Sequence, residues 1–79
     1  MNSERRERLR ESINNLRRAE SIIDTVLEQE KEALDNIPEN LQSSDRSVSM
    51  ESAINYLEDA ISNVQEAIDN TENAVNERG

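Results

Sequence analysis

The chain has 79 residues, a formal net charge of −9, a single Gly, a single Pro, a single aromatic residue and neither Cys nor His. A chain this short holds one small domain whose core is marginal alone, and disulfides and zinc sites built on Cys or His are excluded as reinforcement. The acidic balance argues against general binding to DNA, RNA or anionic membrane, and the scarcity of Gly and Pro leaves little to punctuate strands.

The expected class is therefore all-α. The first helix is expected near residues 5–36. It opens on six arginines, Arg5, Arg6, Arg8, Arg10, Arg17 and Arg18, against three acids within residues 1–18, a net of +3. Residues 19–79 carry three bases and fifteen acids, a net of −12, so any anion-binding role belongs to the first segment. Apolar residues recur at helical spacing through Leu9, Ile13, Leu16, Ile23, Leu27 and Leu34. The pattern breaks at IPENLQSSDRS, residues 37–47, where Pro38 cannot continue a helix and Ser43 or Ser44 suits an N-cap. With the turn at 37–44, a second helix is expected near 45–77. It carries an alanine every seventh position, at Ala53, Ala60, Ala67 and Ala74, each followed by Ile54, Ile61, Ile68 or Val75.

Naming the alanines heptad position g makes those large aliphatics position a, with Met50, Leu57, Val64 and Thr71 at d. In the first half g is Ser12, Ala19, Val26 and Ala33. A short turn makes the helices antiparallel neighbours. One register then satisfies both halves, with layers Leu9–Val75, Ile13–Thr71, Leu16–Ile68, Ile23–Ile61, Leu27–Leu57 and Leu34–Met50. On one flank the g residues meet, small on small. On the other the register pairs Arg10–Glu72, Arg17–Gln65, Asp24–Glu58 and Lys31–Glu51.

A lone two-helix coil needs only a and d; an apolar g calls for a further neighbour. Ile22 and Tyr56, at c, widen the same edge. The expectation is that two hairpins pack through Ala19, Ile22, Val26, Ala33, Ala53, Tyr56, Ala60 and Ala67 into a four-helix bundle, a homodimer or higher assembly.

Catalytic residues are expected to be none: without His or Cys the usual bases and thiols are missing, and no Ser has a visible activating base. No phosphate loop, EF-hand loop or dinucleotide fingerprint occurs, so no metal and no cofactor are expected. Glu20 and Glu30 fall at core-type positions opposite Val64 and Ile54. Bundle metals use inward Glu, but with Glu-x-x-His pairs that are absent here, so a carboxylate at the edge of its layer, an Arg partner from another chain or a device that fixes register is the preferred reading. No stretch approaches the ~18 apolar residues of a membrane span, and MNSERRERLR lacks the apolar run of a signal peptide, so a cytoplasmic location is expected.

With EALDNIPENLQSSDR followed by AINYLEDAISNVQEAID, the chain resembles uncharacterised small acidic helical-hairpin proteins of Gram-positive bacteria and their phages and mobile elements. The specific part is the turn from Asp35 to Gln42, and the resemblance implies a hairpin and a provenance, with the host cytoplasm as location for a phage-borne chain. A weaker similarity, in Ser44-Asp45-Arg46 and Leu57-Glu58-Asp59-Ala60, links it to phage proteins that sequester cyclic oligonucleotides. Three functions are therefore expected to compete. In the first, a non-enzymatic interaction protein engages a host defence protein through an acidic face of Glu51, Glu58, Glu66, Asp69 and Glu72. In the second, an anionic cyclic nucleotide is held between hairpins by the arginines, with Tyr56 as a stacking platform. The third is a structural scaffold with no ligand.

Overall fold

A computed structural model describes residues 1–78. Two α-helices, α1 (Ser3–Asp35) and α2 (Asp45–Asn76), pack side by side as an antiparallel hairpin, joined by a turn with a 3-10 segment at Glu39–Leu41. No strand occurs among the described residues. Helix α1 begins two residues ahead of the expected start because Asn2 caps it, its Oδ1 accepting from the Arg5 N–H at 2.8 Å. Asn36 closes it: its N–H donates to the Glu32 carbonyl at 3.1 Å, and the next N–H, that of Ile37, donates to the Leu34 carbonyl at 3.1 Å. Pro38 then removes a backbone donor and disfavours helical backbone at Ile37. The chain recovers through the 3-10 segment, where the Leu41 N–H reaches the Pro38 carbonyl at 2.8 Å. No residue of the turn needs a positive φ, which is why it contains no glycine. Ser44 starts α2, its Oγ accepting from the Ser47 N–H at 3.2 Å.

The seam between the helices follows the heptad positions. Ile13, Leu27, Ile54, Ile68 and Val75 are buried, and the remaining apolar a and d residues are half-buried. One contiguous cluster joins Ile13, Ile68 and Val75 with Leu9, Leu16 and Val64, toward the end where the chain termini lie. Leu27 and Ile54 are buried nearer the turn. Glu20 and Glu30 are half-buried beside the seam, and no group of three or more acids among the described residues is placed to hold a metal ion.

Two hydroxyls occupy the seam in different ways. Thr71 Oγ1 donates to the Ala67 carbonyl at 2.7 Å and so satisfies itself within its own helix. Ser47, at position a, is 1% exposed, and its Oγ has no hydrogen-bond partner among the described residues. A buried hydroxyl without a partner costs about 1–3 kcal/mol. Ser47→Ala removes that cost and improves helix propensity. It is expected to raise stability by roughly 1 kcal/mol and the melting midpoint by about 4–8 °C. A drop in thermal melts of the variant would show that the hydroxyl has a bonding role.

The hairpin is a thin rod, 59 × 16 × 13 Å between Cα extremes. Its radius of gyration is 17.9 Å, against about 12 Å for a compact domain of this length. It exposes 6072 Å², whereas a folded monomer of 9.0 kDa exposes about 4,800 Å².

Candidate functional site

From Ser12 to Asn36 and from Ser49 to Ala74 the helical wheel keeps charge off one side of the hairpin. Positions c and g of α1 from Ser12 to Asn36 read Ser, Asn, Ala, Ile, Val, Gln, Ala, Asn; those of α2 from Ser49 to Ala74 read Ser, Ala, Tyr, Ala, Asn, Ala, Asn, Ala. No acid or base interrupts either run, although 34% of the chain is charged. In an antiparallel pair the two g rows lie on the same flank of the seam, so the runs form one uncharged face along the rod. Ala19, Ala53, Ala60, Ala67 and Ala74 are half-buried, shaded by the opposite helix; Ala33 is exposed. Tyr56 at 73%, Ile22 at 61% and Val26 at 40% exposure stand out from it as large apolar side chains in water. The eight residues expected to form an oligomer interface all fall on this face.

The opposite side is acidic. Glu51, Glu58 and Glu72 at position e, Asp69 at b and Glu66 at f form a contiguous sector of α2. All but half-buried Glu72 are exposed. Glu72 is engaged by Arg17, in the one ion pair that crosses between helices among the described residues. The expected partner of Glu72 was Arg10, and that of Arg17 was Gln65. Instead Arg17 reaches one heptad further and Arg10 turns to Glu7 at 3.5 Å on its own helix. Helical side chains lean toward their own N-terminus, so in an antiparallel pair two long ones lean toward each other across an axial offset. That lean displaces the contact from the backbone register. Lys31 likewise stays on α1, 3.8 Å from Glu28, rather than meeting Glu51. Exposed pairs of this kind contribute about 0.2–1 kcal/mol each.

The six arginines do not converge on one pocket, because 100° per residue spreads neighbours around a helix. Arg6, Arg10 and Arg17 face α2 on the charged flank; Arg5 and Arg8 border the uncharged face; Arg18 points outward with Nη1 donating to Asn15 at 3.5 Å. Arg6 has a backbone role that sequence reasoning missed. Its Nε donates to the Val75 carbonyl at 3.1 Å and its Nη2 to the Glu77 carbonyl at 2.9 Å. These are carbonyls at the C-terminal end of α2, where a cation meets the negative end of the helix dipole. Among the described residues the Arg5 and Arg8 guanidinium groups have no hydrogen-bond partner; they line a shallow groove with Met1, Leu9, Glu11, Ser12 and Asn15.

No helix among the described residues is long and apolar enough to cross a membrane. Comparison of the chain with protein-family models, curated proteins and solved structures found no significant match.

Proposed function

We infer that the protein is a non-enzymatic interaction module, a helical hairpin that pairs with a second copy through its uncharged face and presents its acidic face to a basic partner protein. The observation that carries this reading is the segregation of charge: one face without a charged side chain from Ser12 to Asn36 and from Ser49 to Ala74, on a chain with 27 charged residues among 79. A solvated helix surface has no reason to exclude charge over that length, and a buried interface does. The area agrees. The rod exposes roughly 1,200 Å² more than a compact monomer of its mass, and a standard interface covers about 800 Å² per partner. Two hairpins stacked on this face make a four-helix bundle.

The outer surface of that bundle is strongly acidic, which fits a partner with a basic groove and disfavours nucleic acid. The resemblance to phage and mobile-element proteins makes host defence proteins the class to screen. The combined variant Glu51→Gln, Glu58→Gln, Glu66→Gln, Asp69→Asn spares the Arg17–Glu72 pair. It is expected to keep the wild-type helicity and dimer mass. It is also expected to lose at least tenfold in affinity for a basic host protein bound by the wild type, with a wild-type affinity that weakens as salt rises. Equal affinity of variant and wild type by calorimetry would remove the acidic face from the function.

A further inference from the structure

We propose that the second copy docks head to tail, so that the turn of each hairpin lies beside the open end of the other. This inference rests on the pairing through the uncharged face and adds its orientation. Two twofold arrangements stack these faces. With the twofold along the rod, like ends meet and α1 lies over the partner's α2. With the twofold across the rod, unlike ends meet, and α1 lies over the partner's α1.

Charge separates the two. The open half of the hairpin, residues 1–18 and 59–78, carries seven bases and eight acids, a net of −1; the turn half, residues 19–58, carries two bases and ten acids, a net of −8. Screening confines interactions to about 8 Å at physiological salt, so groups at the same level of the bundle dominate. Like ends together set −8 against −8. Head to tail sets −8 against −1 at both ends. The arrangement also carries the exposed Arg5 and Arg8 to the partner's turn, where Asp35 and Glu39 are exposed. With like ends together, Arg8 meets only the partner's Glu77, and the two acidic turns remain apposed.

Side-chain volume separates them independently. Within one hairpin the g residues form four levels, Ser12 with Ala74, Ala19 with Ala67, Val26 with Ala60 and Ala33 with Ala53. With like ends together each level meets itself. One level then holds two valines and two alanines, and its neighbour four alanines, which no single helix separation fills evenly. Head to tail, Val26 meets the partner's Ala19 and Ser12 meets the partner's Ala33. Each inner level then holds one valine and three alanines, and each outer level one serine and three alanines. Ile22 of the two copies meet at the twofold.

The absence of cysteine makes the orientation directly readable. Ser12→Cys is mixed with Ala33→Cys in one sample and with Ala74→Cys in another, refolded together and mildly oxidised. A disulfide needs Cα atoms within about 7 Å, so only residues facing each other cross-link. The head-to-tail dimer gives a mixed covalent dimer in the first sample and none in the second. Cross-linking in the second sample alone keeps the pairing face and overturns the orientation. Cross-linking in neither, with a dimer mass in sedimentation, moves the interface to another face and overturns both. A sedimentation mass equal to one 9.0 kDa chain overturns the pairing itself.

Discussion

Leu27→Ala is expected to unfold the hairpin or bring it to the edge of unfolding at room temperature. Leu27 is the most buried apolar side chain among the described residues, 4% exposed, and only five apolar residues there are buried at all. Truncating a buried leucine costs about 2–5 kcal/mol, the spread reflecting how far the site collapses. A chain of this length has roughly 4–12 kcal/mol to lose, and a rod with so thin a core belongs at the low end. The expected readout is a fall of at least ~8 °C in the midpoint of the helical circular-dichroism signal. Leu41→Ala is the control: Leu41 lies in the turn, 49% exposed, and its truncation should change stability by less than about 0.5 kcal/mol. Equal effects of the two substitutions would mean that Leu27 does not face α2, and the heptad register would fail with it.

Dilution is expected to have an effect of similar weight. If folded hairpins exist as pairs, unfolding releases two chains, and each tenfold dilution lowers the stability of the pair by about 1.4 kcal/mol. The melting midpoint should fall by roughly 3–6 °C per decade of concentration. A monomeric hairpin melts at one temperature at every concentration. Ala60→Glu extends the test. Ala60 is half-buried at the middle of the uncharged face, and a carboxylate there would be buried without a partner in each copy. The variant should sediment as a monomer and lose the dilution dependence. A variant that remained paired would show that another surface joins the copies.

The helices and their seam were legible in the sequence because each depends on local chemistry. The period of the apolar residues, the missing donor of Pro38 and the capping side chain of Ser44 act within a few positions of the chain. The uncharged face was legible in principle. It needs only the c and g positions to be read for the absence of charge rather than for the presence of alanine. Ser47 was missed because a serine gives no apolar signal, and only the placement of α2 against α1 shows that position a runs on to the start of the helix. The ion pairs were misplaced for a different reason. Register is a property of backbones, whereas Arg17 and Glu72 are long side chains that lean toward one another.

The arginine-rich start shows where sequence and tertiary structure divide. The sequence by itself determined the class, the two helices, the turn and the opposed charges of the two chain ends, all of which follow from residue type and spacing. Judged one helix at a time, bases at an N-terminus and acids at a C-terminus oppose the dipole. The tertiary structure decided what those residues do. An antiparallel neighbour lays the C-terminal carbonyls of α2 beside the N-terminal turns of α1, so Arg6 meets the Val75 and Glu77 carbonyls and Arg17 meets Glu72. Electrostatic energy depends on distance through space, and residues 69 and 71 positions apart along the chain come within hydrogen-bonding distance only when the hairpin closes.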